Sequence, residues 1–192
     1  MAPRCTATLT ALTRILWPLT RKGYGNSITL AQDVSDFDTA SQVLLALSET
    51  VGARLREASV RCNSVTVELK DWRFTSQSHQ CVLKSPTDST SVLYDTACRL
   101  LREFWDKTPV RLIGLRTSQI QEDPFEQMSL FEDERQKKMR AMEKAVDHIR
   151  GRYGIDSVQR ASFLKENSPT PHAVSRKKHL NQASQHNTGK EF

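Results

Sequence analysis

Along the middle of the chain the spacing of apolar residues changes in an orderly way, and each spacing predicts an element. Residues 27–30 read as a short strand, and Asp33, Asp36 and Asp38 then make a carboxylate-rich turn. Ala40, Val43, Leu44, Leu47, Val51, Leu55 and Ala58 recur at steps of three and four, which predicts a helix with one apolar stripe. Asp36 or Asp38 is placed to cap its first turn. Val65, Val67 and Leu69 alternate with Thr66, Glu68 and Lys70, the period of a strand buried on one face. A weaker strand over 80–84 follows a polar hairpin, and Pro86, Asp88 and Ser89 punctuate the chain after it. Leu93, Ala97, Leu100, Leu101 and Phe104 form a second helical stripe, which Pro109 stops, and residues 110–118 read as a last strand. The order β-α-β-β-α-β predicts a two-layer α+β domain. Two helices cover one face of a four-stranded sheet, and the other face is free to meet a partner.

Arg111 and Arg116 flank Ile113-Gly114 in the last strand, five positions apart, so strict alternation sends them to opposite faces. A bulge at Gly114 would bring both to the free face while Val110, Leu112 and Leu115 stay inward. The plainer alternative is that the two arginines are separately solvated surface charges.

Composition narrows the partners. The 192 residues suit one ordinary domain, and 38% hydrophobic against 26% charged residues leaves a modest core with a polar extension. No apolar run approaches the roughly 18 residues a membrane span requires, and the stretch 5–19 is broken by Arg14, so neither an anchor nor a secretory signal is expected. A formal charge of +6 favours polyanionic partners. Cys5, Cys62, Cys81 and Cys98 are far apart, and the histidines are scattered, three of them (His172, His179, His186) in a polar tail. Neither a disulfide scaffold, a zinc site nor a cofactor is indicated, and a reducing cytoplasm fits best.

Past the last strand, 121–126 is acidic, carries Pro124 and reads as an exposed linker. Gln127-Met128-Ser129-Leu130-Phe131 follows. It resembles the pentapeptide, usually QL(S/D)LF, by which bacterial replication and repair proteins bind the sliding clamp, with Met128 where Leu is usual. Leu130 and Phe131 would fill an apolar pocket and Gln127 would bond at its rim; alternatively, Leu130 and Phe131 cover the domain's own core. A helix over about 132–153 comes next, with Met139, Met142, Val146, Ile149 and Tyr153 near heptad spacing, to pack on the domain or, alternatively, on a helical partner. From Glu166 onward the composition predicts a disordered tail, in which Arg176-Lys177-Lys178 reads as a solvated charge run.

Lys22-Gly23-Tyr24-Gly25-Asn26-Ser27 with Asp33-Val34, Val65-Thr66-Val67, and above all Pro109-Val110-Arg111-Leu112-Ile113-Gly114-Leu115 are spread through the chain. With the clamp-like peptide and the stretch Asp156-Ser157-Val158-Gln159-Arg160-Ala161-Ser162, they resemble the C-terminal part of Y-family translesion DNA polymerases of the bacterial polymerase IV (DinB) branch. The resemblance covers roughly three quarters of the chain and divides it. Residues 1–20 match nothing in the family, 21–120 are its little-finger DNA-binding domain, 121–131 the linker with the clamp peptide, 132–165 a helix with a short extension, and 166–192 the tail.

The resemblance implies a sheet lying along duplex DNA and touching phosphates more than bases. Main-chain N–H groups near Gly25, Asn26 and Ser27, and the side chains of Arg61, Arg73, Thr75, Ser76, Arg111 and Arg116, would hold them. Asn63 stands where many relatives are expected to carry a basic residue, which implies a weaker grip. The family's palm carboxylates and their metal ions would precede this region. Asp33, Asp36 and Asp38 are no substitute, so the chain reads as a truncated or detached piece that is not an enzyme by itself. The implied function is non-catalytic binding of (damaged) duplex DNA with tethering to the sliding clamp, in translesion synthesis and DNA repair. A separately encoded polymerase half is a further partner of this reading. The alternative is a clamp-binding competitor without useful DNA affinity. An unrelated small enzyme is disfavoured, because no nucleophile, base and orienting group can be named together.

Overall fold

A computed structural model of the chain describes residues 23–122 and 134–164. Four strands, β1 (Gly23–Val34), β2 (Val60–Asp71), β3 (Ser76–Thr87) and β4 (Val110–Glu122), alternate with helices α1 (Phe37–Glu57) and α2 (Thr90–Phe104), and α3 (Glu134–Tyr153) follows β4. The strands make one antiparallel sheet in the order β1-β4-β2-β3, the last strand inserted between the first two. This is the α+β order that the periodicities predict. The strands run longer than their apolar patterns because polar residues at their ends pair through the backbone alone. β3 continues through Pro86 to Thr87, which an edge strand tolerates because it has no neighbour on one side to receive an N–H.

The apolar stripe of α1 is the centre of the core: Ala40, Val43, Leu44, Leu47, Val51 and Leu55 are all fully buried. They meet Val65, Val67 and Leu69 of β2, Ile113 and Leu115 of β4, and Leu93, Ala97, Leu100 and Leu101 of α2 in one cluster. Each buried Leu or Ile contributes about 2 kcal/mol. Ala58 does not extend the stripe, because α1 ends at Glu57 and Ala58 is its exposed C-cap. In return α1 buries Leu45, Ala46, Ser48 and Glu49, which lie off the stripe. Phe163, in a 3-10 turn beyond α3, joins the core.

The carboxylate-rich turn divides its labour. Asp36 is the N-cap of α1, its Oδ2 accepting from the Thr39 N–H at 2.7 Å, and hydrogen bonding from Thr39 holds its carboxyl below the ordinary range. Asp33 instead accepts from Arg111, 3.0 Å to Nε and 3.4 Å to Nη2.

The bulge expected at Gly114 is absent. Gly114 pairs in regular register with Ser27 on one side and Glu68 on the other. The irregularity lies three residues earlier: Lys70 pairs with Leu112 and Asp71 with Val110, leaving Arg111 as the extra residue of β4. β1 loses register at the same level, between Thr29 and Val34. The shift returns Val110 to the buried side, whereas Leu112, expected inward, is only half-buried. The parity mismatch is absorbed where β1 leaves the sheet for α1, because there it interrupts the fewest ladder hydrogen bonds.

Helix α3 packs on the domain, but with a different face from the one its apolar spacing suggests. Met142, Ile149 and Tyr153 are exposed, and Met139 and Val146 are half-buried. The docking face is charged. Arg56 of α1, with 5% of its side chain exposed, meets Glu143 at 3.2 Å and grips Asp147 with two nitrogens. Arg140 pairs with Asp88, and Arg150 with Glu49, each at 3.0 Å. Glu143 also accepts from the Thr90 N–H at 3.0 Å, supplying the cap that Ser89 does not give α2. Burial pushes the Glu143 carboxyl up, and the Arg56 guanidinium opposes that shift.

Candidate nucleic-acid interface

The register of the sheet assigns its open face. In each strand the positions between the buried ones point away from the helices, and pairing aligns them in rows across β1, β4, β2 and β3. One row is Gly25, Arg116, Thr66 and Gln80; the next is Ser27, Gly114, Glu68 and Ser78. Apart from Gln80 these two rows, with Gly23, Ser118 and Ser76 beside them, line an open concavity of about 920 Å³.

The floor of the concavity is low because of its glycines. A Cβ on Gly23 would stand 2.2 Å from the Thr117 carbonyl oxygen, and one on Gly25 would lie 3.3 Å from the Arg116 Cα and Cβ. No side chain fits at Gly23 without moving β1 off β4. Hydroxyls of Ser27, Thr66, Ser78 and Ser118 surround the exposed Arg116. Among the described residues no carboxylate lies within ion-pair distance of Arg116, although Glu68 lines the same concavity.

Of the nine residues expected to touch nucleic acid, Gly25, Asn26, Ser27, Ser76 and Arg116 line this one concavity. The expected main-chain donors are partly taken, since the Ser27 N–H donates to Asn26 Oδ1 at 3.0 Å. Arg73 and Thr75 stand at the adjoining β2–β3 turn, with Arg73 over the Trp72 ring and the Thr75 N–H donating to Asp71 Oδ1. Arg111 is half exposed at the far end of β4, and Asp33 neutralises much of its charge. Arg61 lies apart, in a cleft with Asp88, Arg140 and Lys144. Asn63 is half-buried, and its Oδ1 is buried without a hydrogen-bond partner among the described residues. Thr66, Glu68 and Ser118 were open to detection, because they alternate with buried positions of their strands; Ser78 carries no local signal and is placed only by the register.

Among the described residues no three His, Cys, Asp or Glu side chains gather where they could hold a metal ion. Cys62 is buried, and burial pushes its thiol up to about 12, so it stays protonated at neutral pH. No helix of the described residues is long and apolar enough to cross a membrane. The clamp-like peptide 127–131 lies outside the described residues, as do 1–20 and the tail 166–192.

The model of the impB/mucB/samB family C-terminal domain matches residues 21–130, more than half of the chain. DNA polymerase IV of Clostridium acetobutylicum is 30% identical over 145 residues, which is 76% of this chain and 37% of that protein. DNA polymerase IV 2 of Bacillus subtilis is 38% identical over 149 residues, 75% of this chain and 35% of that protein. The chain thus spans little more than a third of the length of these relatives. Among solved structures, the complex of a beta-clamp processivity factor with the little finger domain of PolIV aligns at 22% identity and a TM-score of 0.45, covering 57% of this chain and 98% of that one.

Proposed function

The chain belongs to the impB/mucB/samB family through that family's C-terminal domain, and we propose that it is a little-finger module holding duplex DNA by its phosphates on the open face of the sheet, in translesion synthesis. The observation that carries this reading is Arg116: a solvent-facing guanidinium without a carboxylate partner among the described residues, set among hydroxyls on a glycine floor that lets a backbone approach closely. Serine, threonine and arginine contacts to phosphate position a duplex without reading its bases, as lesion tolerance requires. Arg73, Thr75 and Ser76 extend the surface at one end, and Arg111 adds charge at the other to the extent that Asp33 releases it.

In the same reading Gln127, Met128, Ser129, Leu130 and Phe131 tether the module to the sliding clamp, with two apolar anchors giving affinity on the order of micromolar. In this reading the chain contributes binding and not the polymerase chemistry, so the purified chain should extend no primer when supplied with magnesium and nucleotides. The test is titration of labelled duplex at rising salt. Affinity should fall steeply and alike for unrelated sequences, since phosphate contacts release counterions; undetectable binding at low salt would reject the DNA reading. In that case the second reading, a clamp-binding competitor without useful DNA affinity, takes over. It is favoured by the carboxylate of Glu68 inside the concavity and by the engagement of Arg111 with Asp33. Replacing Leu130 and Phe131 together by Ala should abolish clamp binding in either reading and leave folding and DNA affinity unchanged; unfolding of that variant would mean they cover the core.

A further inference from the structure

The turn between β2 and β3 displays two aromatic side chains that the phosphate-binding surface does not explain. Trp72 is 48% exposed and Phe74 71% exposed, beside each other at the tip of the hairpin with Arg73 between them. Phe74 has φ of 66°, the left-handed region that suits glycine and is rare for an aromatic residue. The conformation is imposed by the turn: the Phe74 N–H donates to the Asp71 carbonyl at 3.1 Å, the Thr75 N–H to Asp71 Oδ1 at 2.8 Å, and the Asp71 N–H to the Thr75 carbonyl at 3.1 Å. Glycine in place of Phe74 would close the same turn without strain. What phenylalanine adds is an aromatic ring held outward on a rigid support.

The chemistry around the two rings selects the ligand. The Arg73 guanidinium lies 4.7 Å from the centre of the Trp72 ring, keeping a cation and a π-face together at the surface. Lys70 and Ser76 pair across the base of the hairpin, and Ser76 is also part of the rim of the concavity that holds Arg116. Aromatic faces beside cations, continuous with a hydroxyl-lined surface, are the elements of a single-strand platform: unpaired bases stack on the rings while cations follow the phosphates. A fully paired duplex offers such a platform little, because its bases are already stacked.

We propose that the tip formed by Trp72, Arg73 and Phe74 is a second nucleic-acid site, which stacks unpaired bases where single strand leaves the duplex held on the open face. The inference rests on the phosphate-binding reading for the placement of the duplex and shares Arg73 with it, but its ligand and its two aromatic rings are different, so the two can fail separately.

The test compares Trp72→Ala and Phe74→Gly with the unmodified full chain, using a blunt duplex, the same duplex with a single-stranded overhang, and the single strand alone. The overhang should tighten binding by about fivefold or more, in the range of one stacked base. Both variants should lose that advantage and keep the affinity for the blunt duplex. Phe74→Gly should melt no lower than the unmodified chain, because it relieves the left-handed strain, so its loss of binding cannot be ascribed to unfolding. If the blunt duplex does not bind at all, the phosphate-binding reading fails alone; the single strand then decides, with quenching of fluorescence that Trp72→Ala abolishes supporting the site. No preference for the overhang together with no quenching, or a preference that both variants retain, overturns the proposal. So does loss of sliding-clamp binding in the variants with the overhang preference intact, which would make the tip a protein contact.

Discussion

The two faces of the one sheet are built from the same four strands and have opposite chemistry. On the covered face Val65, Val67, Ile113 and Leu115 are at most 1% exposed and meet two helices. On the open face their sequence neighbours Thr66, Glu68, Gly114 and Arg116 form part of a wide concavity with hydroxyls, glycines and one arginine without an ion-pair partner among the described residues. Neighbours one position apart therefore serve different ends, burial on one side and, in the proposed function, recognition on the other. The lesson is that substitutions on the two faces should separate cleanly into effects on stability and effects on binding.

The largest expected effect tests the covered face. Ile113→Ala should cost about 3 kcal/mol of unfolding free energy in urea, whereas Arg116→Ala, three residues along the same strand on the other face, should stay within about 0.5 kcal/mol of the unmodified chain. Equal losses would erase the distinction. The charged seam of α3 comes next: Arg56→Ala leaves Glu143 and Asp147 without their cation and should cost about 3 kcal/mol or somewhat less. Loss of amide-exchange protection confined to α3 and the Phe163 turn would show that the helix is held by charge, while the two-layer domain stands without it.

Smaller effects use the pair Asp36 and Asp33. Asp36→Ala removes the cap of α1 and should cost about 1 kcal/mol without changing DNA affinity. Because the folded-state pKa of Asp36 is lowered from 3.8, its ionised form stabilises the fold at pH values above that figure. This contribution is lost as pH falls through the depressed value, so Asp36→Asn should flatten the stability profile only in that acid window. On the open face, Arg116→Ala should weaken duplex binding about fivefold at low salt and reduce the salt slope by about one. Arg111→Ala should have the smallest effect, about twofold or less, since Asp33 already holds its guanidinium. Asp33→Ala should, in the opposite direction, slightly tighten binding. An Arg111 effect equal to that of Arg116 would mean that the Asp33 pair opens when DNA binds.

Much of the covered face was legible because burial there repeats with the local period. The stripe of α1 and the alternation Val65-Val67-Leu69 are each read within a few residues, whereas α2 ends at Phe104, before the expected stop at Pro109. The open face was legible only by subtraction, as the positions left over from that alternation. Thr66 and Arg116 follow from it, but their neighbour Ser78 does not, since β3 is an edge strand with few buried positions to set its phase. The bulge was expected at Gly114 because glycine permits one, yet permission is not need. The mismatch settles at Arg111, where β1 departs and fewer ladder bonds are interrupted.

The sequence by itself determined the order of elements and most of the helical core residues, since each depends on a period read within one helix or one strand, and that order implied the two-layer architecture; it left the cap of α1 open between Asp36 and Asp38. Tertiary structure alone decided which charges are spent. Arg111 is joined to Asp33 across 78 residues, Arg56 to Glu143 across 87 and Arg160 to Glu49 across 111. Periodicity could not foresee that α1 would be buried beyond its stripe, or that α3 would dock by its charged face and leave Met142, Ile149 and Tyr153 exposed. Hydrophobic period reports the average environment of a segment, whereas an ion pair depends on the distance between two points of the chain that no local pattern encodes.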